Sequence, residues 1–160
     1  MAESKPSAYV ETTVLSYLTA WPSRDLVRAG HQQITKDWWR TARDRYSLVV
    51  SEVVHNEIAA GDVIAAKERQ AEAEGIPILA VNEQIIALAQ EYHRVLPLPP
   101  EAAIDAIHIA CTVVYEIDYL VTWNCRHIAN AARRDLIGRT CLAAGCASPL
   151  ICTPEELMED

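Results

Sequence analysis

Short apolar runs alternate with helix-like segments along the whole chain, and this alternation constrains the fold more than any other feature. The runs have the length and composition of strands and cover residues 8–10, 47–50, 76–81, 119–122 and 150–152. The predicted helices cover residues 14–19, 24–45, 52–60, 62–73, 82–94, 101–115 and 126–144. Apolar strands separated by helices form parallel sheets that helices cover on both faces. The sequence therefore predicts an α/β fold with a central parallel sheet of four to five strands.

The length of 160 residues suits one domain, which we predict to cover residues 1–160. The most apolar stretch, residues 102–123, contains Asp105, His108, Glu116 and Asp118, and charged groups are costly at bilayer depth. The chain does not begin with a basic segment followed by an apolar one, as a signal peptide would. We therefore expect a cytoplasmic protein with no membrane association.

Several common classes of protein are disfavoured. The five cysteines form no C-x-x-C pair, which argues against a disulfide framework and against a structural zinc site. The chain has no glycine-rich dinucleotide or phosphate loop and no G-x-S-x-G elbow. The net charge of −8 argues against a nucleic-acid binder coated in positive charge. Some of that negative charge could belong to a metal site.

Three carboxylates lie at positions that do not suit an ordinary solvent-exposed side chain. Glu11 follows the first strand directly, and such strand ends are where parallel sheets bind ligands. Glu57 lies near the apolar stripe of its helix, and Asp105 lies in a helix that is apolar nearly all round. Simpler interpretations stay open, because an acid suits any helix start and a polar stripe can face solvent. His108, on the stripe of Asp105, fits a structurally satisfied histidine better than a ligand.

Carboxylates from three separate segments would suit a hard divalent cation such as Mg²⁺ or Mn²⁺. A cation held in this way lowers the pKa of a bound water and stabilises charge on a phosphoryl group. The spacing of these residues alone does not establish that they converge.

Four segments in order resemble the PIN-domain family of metal-dependent nucleases, which includes the VapC-like toxins of toxin–antitoxin pairs. They are YVETTVLSYL at 9–18, SEVVHNEI at 51–58, AAIDAIHIA at 102–110 and DYLVTWNCRHI at 118–128. The resemblance implies a PIN-like three-layer fold and endoribonuclease activity with Mg²⁺ or Mn²⁺. It also implies an RNA substrate, a homodimer and inhibition by an antitoxin protein.

Carried over by position, the resemblance implies catalytic roles for Glu11, Glu57, Asp105 and Asn124, with the three acids as metal ligands. Two positions depart from the family pattern. The first acid is usually Asp, and the fourth position usually carries an acid, whereas Asn124 is neutral and would orient water or a ligand. The lost charge keeps an alternative open, namely a catalytically degenerate PIN-like module for partner binding or dimerisation.

Basic residues follow the fourth strand, close to the expected metal edge. Arg126, Arg133 and Arg134 are the predicted phosphate contacts for an RNA substrate.

Overall fold

The computed structural model describes residues 3–159 and contains one parallel sheet. Its strands are β1 (Ser7–Val10), β2 (Ser47–Ser51), β3 (Ile78–Leu79), β4 (Tyr119–Val121) and β5 (Leu150–Cys152). Every neighbouring pair is parallel, and the strand order is β3-β2-β1-β4-β5. The predicted α/β fold with a central parallel sheet of four to five strands is confirmed.

Helices connect the strands. They are α1 (Thr12–Thr19), α2 (Leu26–Arg45), α3 (Glu52–Ile58), α4 (Val63–Ala73), α5 (Glu83–Val95), α6 (Ala103–Val114) and α7 (Ala131–Ala143). Short 3₁₀ helices cover Pro100–Ala102 and Glu155–Leu157. Helices α1, α2 and α4 pack in one group and α5, α6 and α7 in another, while α3 contacts members of both groups. No helix among the described residues is long and apolar enough to cross a membrane.

Local sequence sets most of the helix boundaries. Six helices begin after a polar residue whose side chain accepts a hydrogen bond from an amide of the first turn; these residues are Glu11, Asp25, Ser51, Asp62, Asn82 and Asn130. Such caps satisfy amides that have no partner inside the helix. Gly61 and Gly75, which follow α3 and α4, have positive φ angles that glycine adopts without steric cost. The predicted breaks at these two glycines are therefore confirmed.

The core surrounds the central strand. Ala8, Tyr9 and Val10 are fully buried, as are Leu120 and Val121 of β4. Because successive side chains of a strand point to opposite faces, burial of three consecutive residues of β1 means that both faces of the sheet are covered there. The chain continues from β1 to β2 on one side, whereas β4 lies on the other side of β1. The carboxyl ends of β1 and β4 therefore flank the point where the strand order reverses, and such points bind ligands in open α/β sheets.

The third strand is shorter than predicted. The prediction covered residues 76–81, but only Ile78–Leu79 pairs with β2. Pro77 has no amide hydrogen for a ladder, and the amide of Ile76 bonds instead to the carbonyl of Ala73 at the end of α4. This edge strand is therefore reduced to two residues.

Two other segments differ from the predictions. The predicted helix 126–144 starts only at Ala131, because residues 124–129 form a turn. In this turn, the amides of Ile128 and Ala129 donate to the backbone carbonyl of Asn124. The polar residues after β5 contain a 3₁₀ helix with Leu157 buried against the core. The predicted helix 101–115 begins as the 3₁₀ turn and continues as α6.

Candidate metal centre

Glu11 lies directly after β1 and connects the two central strands. Its amide donates to the carbonyl of Val121 in β4 at 3.0 Å, so the backbone is still paired there. Its carboxylate oxygen Oε2 accepts hydrogen bonds from the amide of Thr13 at 3.1 Å, from the Thr13 hydroxyl, and from the Thr122 hydroxyl at 2.8 Å. The same oxygen thus caps α1 and holds the segment that follows β4.

The second carboxylate oxygen of Glu11 has a different environment. Glu11 is only 3% exposed, yet no donor within residues 3–159 makes a hydrogen bond to Oε1. Its closest ion-pair partner is Nε2 of His108, at 3.9 Å. The carboxylate of a residue this buried loses much of its hydration, and a cation can replace that hydration. This oxygen is therefore available to a cation.

Glu57 and His108 complete a compact group of ligand atoms. Glu57, in α3, accepts at Oε1 from the Thr12 hydroxyl at 2.7 Å and lies 2.8 Å from Nε2 of His108. His108, in α6, is fully buried, whereas the Glu57 side chain is 33% exposed. One ligand atom from each of Glu11, Glu57 and His108 lies within 4.8 Å of the other two. We call these three residues the Glu–Glu–His group.

A chain of hydroxyl groups contacts the other side of the His108 ring. Nδ1 of His108 lies 2.6 Å from the phenol oxygen of Tyr9, which lies 2.7 Å from Oγ of Ser51. Ser51 Oγ also accepts from the amide of Val54 and so caps α3. The orientation of the ring is therefore fixed from β1 and β2 at once.

The charges of the group favour an ion pair. Burial acts to lower the pKa of His108, but the hydrogen bond with Glu57 and the charges of Glu11, Glu57 and Asp105 outweigh burial and raise it. Burial acts to raise the pKa of Glu57, but the hydrogen bond and charge of His108 and the bond from Thr12 lower it overall. The neighbouring carboxylates therefore stabilise the protonated form of His108.

Asp105 lies beside the Glu–Glu–His group and is not one of its members. It precedes His108 by three residues on α6, so the two share one face of the helix. Its Oδ2 lies 2.7 Å from Nδ1 of His127, and both side chains are largely buried. The structure thus brings Glu11 and Glu57 together and gives Asp105 a histidine partner.

Asn124 organises the turn after β4. Its side-chain oxygen accepts from the amide of His127 at 2.9 Å, and its own amide donates to the Thr122 hydroxyl. It thereby places His127 next to Asp105. The side-chain oxygen that was predicted to orient water or a ligand is thus occupied by the backbone.

The three arginines after β4 differ in their surroundings. Arg126 is exposed at the turn. Arg133 donates to the carbonyl of Leu96, and Arg134 forms an ion pair with Glu156 at 3.3 Å. Two of the three predicted phosphate contacts therefore have intramolecular partners.

His108 and His127 are the residues that the sequence predictions underrated. His108 was interpreted as structurally satisfied, although it follows Asp105 by three residues on the same polar stripe, and this spacing was the signal available. His127 has no such signal, because it meets Asp105 only through the turn at Asn124.

No protein-family model matches this chain, and no curated protein matches it in sequence. The fold is similar to that of a chain in the crystal structure of VapBC2 from Rickettsia felis bound to a DNA fragment from their promoter. The TM-score is 0.56 at 8% sequence identity, and the match covers 91% of this chain and 97% of that chain. At this identity, the similarity shows a shared fold.

Proposed function

We propose that this chain is a metal-dependent endoribonuclease of the PIN type and the toxin of a toxin–antitoxin pair. The observation that carries the proposal is the Glu–Glu–His group, which lies at the carboxyl ends of β1 and β2 with Asp105 beside it. The fold shared with a chain of a VapBC2 complex supports the same function. The order of the four sequence segments that resemble PIN domains is a further support.

The residues present fit a divalent cation. Ligands at about 2.0–2.2 Å from a six-coordinate cation lie roughly 3–4.4 Å from one another. The donor atoms of the group lie within 4.8 Å of one another, so only small side-chain movements are needed. Glu11 offers an oxygen that accepts no hydrogen bond from residues 3–159, and Asp105 adds negative charge. We propose Glu11, Glu57 and Asp105 as ligands for Mg²⁺ or Mn²⁺.

A cation bound here would supply positive charge to a phosphodiester and lower the pKa of a bound water. The protein residues contribute positioning. Glu11 is held by its three donors, and Asn124 fixes the turn that holds His127 against Asp105. We assign to Asn124 the positioning of this pair, and we retain Glu11, Glu57 and Asp105 as the catalytic acids.

The RNA backbone would approach the same edge of the sheet. Arg126 is exposed on the turn after β4, so its guanidinium can contact a phosphate without losing an internal partner. Arg133 and Arg134 would first have to leave Leu96 and Glu156. We therefore rank Arg126 first among the three proposed substrate contacts.

Cleavage of a mixed pool of structured RNAs tests the proposal. The protein is assayed with Mg²⁺, with Mn²⁺ and with a chelator, and wild type is compared with Asp105→Asn and with Glu101→Gln as a control. Glu101 is an exposed acid one turn before Asp105, so its replacement should leave cleavage unchanged. We expect cleavage that needs both metal and Asp105. Cleavage that persists in the chelator or in Asp105→Asn would contradict the proposal.

A partner-binding module without catalysis is the second candidate. It is favoured by the engagement of Asn124 and Asp105 in contacts with His127, which leaves fewer free oxygens than an active nuclease would offer. This candidate requires that the chain bind neither Mg²⁺ nor Mn²⁺.

We include an antitoxin, a homodimer and a cytoplasmic location in the proposal. Exposed apolar side chains support the protein partners, because large side chains such as Trp21 and Leu26 normally pack when a surface for them exists. Light scattering tests the homodimer, which should show twice the 17.8 kDa mass of one chain.

A further inference from the structure

We infer that His108 is a nitrogen ligand of the metal centre through Nε2, and that the centre therefore binds Mn²⁺ in preference to Mg²⁺. This inference rests on the metal centre of the proposed function and specifies its ligands and its ion. It adds a residue that neither the resemblance to PIN domains nor the carboxylate pattern assigned.

The position of Nε2 is the first argument. The ring is fully buried, and Nε2 points at Oε1 of Glu57 at 2.8 Å and at Oε1 of Glu11 at 3.9 Å. Both neighbours are carboxylate oxygens, so the nitrogen and these two oxygens surround one small volume. Glu11 as a residue is only 3% exposed, and its Oε1 accepts no hydrogen bond from residues 3–159. A cation at this place would contact all three atoms.

The hydrogen-bond chain behind the ring is the second argument. A histidine that binds metal through one nitrogen usually donates the hydrogen on its other nitrogen to a fixed acceptor. Nδ1 of His108 can donate to the Tyr9 oxygen at 2.6 Å, and Tyr9 can then donate to Ser51 Oγ at 2.7 Å. With the hydrogens in this direction, Nε2 can bind a metal once the cation displaces the proton that Nε2 shares with Oε1 of Glu57.

The engagement of Asp105 is the third argument. Asp105 and His108 are the two candidate ligands that α6 presents on this face. The carboxylate of Asp105 faces His127 at 2.7 Å, whereas the imidazole of His108 faces Glu11 and Glu57. Helix α6 therefore contributes a nitrogen to the group, with the oxygens coming from β1 and α3.

This donor set determines which ions should bind. Mg²⁺ prefers oxygen ligands and keeps most of its waters, whereas imidazole is a good ligand for first-row transition metals. A site that adds one imidazole nitrogen to the carboxylates should therefore favour Mn²⁺ over Mg²⁺ by about tenfold in dissociation constant. An all-carboxylate site would show a smaller preference.

The test uses Mn²⁺ as the probe, because its unpaired electrons report directly bound nitrogen. The full chain is produced with ¹⁵N-labelled histidine, and pulsed electron paramagnetic resonance measures the ¹⁵N coupling of bound Mn²⁺. Calorimetric titration gives the dissociation constants for Mn²⁺ and Mg²⁺. The variants are His108→Gln and, as a control, His55→Gln, whose histidine is exposed on the helix that carries Glu57. Circular dichroism establishes that each variant is folded.

We expect a ¹⁵N coupling, and a dissociation constant about tenfold lower for Mn²⁺ than for Mg²⁺, in wild type and in His55→Gln. His108→Gln should lose the coupling and most of the preference. If His108→Gln does not fold, His127→Gln decides the matter: a coupling kept in that variant supports His108, and a coupling lost there overturns the inference. Mn²⁺ bound without any ¹⁵N coupling would overturn the inference and leave the proposed nuclease standing. Failure of wild type to bind either ion would overturn both.

Discussion

Replacement of Glu11 should destabilise the fold even when no metal is present. Oε2 of Glu11 accepts three hydrogen bonds, one from the amide of Thr13 and two from the hydroxyls of Thr13 and Thr122. Glu11→Ala removes all three, whereas Glu11→Gln keeps an amide oxygen at nearly the same place. The two variants should therefore differ greatly in stability, although both remove the same negative charge.

The size of the effect follows from the donors that lose their acceptor. Loss of a helix cap costs about 1 kcal/mol, and loss of a hydrogen bond to a charged group costs about 1.5–3 kcal/mol. The hydroxyls of Thr13 and Thr122 lie 3.5 Å apart, so one can donate to the other after the change. Only one hydroxyl then lacks a partner. The sum for Glu11→Ala is roughly 2.5–4 kcal/mol, against about 1 kcal/mol for Glu11→Gln.

Urea unfolding followed by circular dichroism measures this difference. The buffer contains a chelator, so that metal binding does not contribute to the free energy of unfolding. At a slope of about 2 kcal/mol per molar urea, Glu11→Ala should lower the midpoint by roughly 1.2–2 M. Glu11→Gln should lower it by about 0.5 M. Equal midpoints for the two variants would refute the structural role of Oε2.

Two further predictions concern the neighbours of this site and the start of β1. Tyr9→Phe removes the oxygen that accepts from Nδ1 of His108 and keeps the aromatic ring in the core. Calorimetric titration should then show Mn²⁺ binding weakened about 10–100-fold. Unchanged affinity would argue against the tautomer assigned to His108. The amide and hydroxyl of Ser7 donate to Asp118 and hold the pKa of that carboxyl below its usual value. Their contribution to the free energy of unfolding is therefore present above about pH 3.9 and is lost as pH falls through the lowered pKa. The difference in urea midpoint between wild type and Ser7→Ala should therefore shrink from pH 5 to pH 3, and a difference that stays constant would contradict this linkage.

The parts of the fold that depend on local sequence could be predicted. The starts of α3 and α5 could be predicted from the sequence, because the caps at Ser51 and Asn82 depend only on that residue and the turn that follows it. The parallel sheet followed from the alternation of short apolar strands with helices. The third strand was overestimated because apolar character was weighed above the missing amide of Pro77, which ends the ladder.

The candidate site could be predicted only in part, for a geometrical reason. Glu11 could be placed at the sheet edge because the carboxyl ends of parallel strands share that edge. Whether Asp105 or His108 faces it depends on the rotation of α6 about its axis. That rotation is associated with the contacts of His108 with Tyr9 and of Asp105 with His127, which are distant in sequence. No local pattern contains this information.

The two roles of Glu11, one in the fold and one in the proposed metal site, affect how relatives of this protein should be compared. One carboxylate oxygen holds the ends of β1 and β4 together, while the other faces the proposed cation. A descendant that had lost catalysis would still need Glu11 to keep its fold, so selection would preserve the residue after the activity had gone. The Glu57 side chain is 33% exposed and bonds to the side chains of Thr12 and His108, so the fold depends on it less. The presence of Glu57 would therefore distinguish active enzymes from inactive relatives better than the presence of Glu11 would.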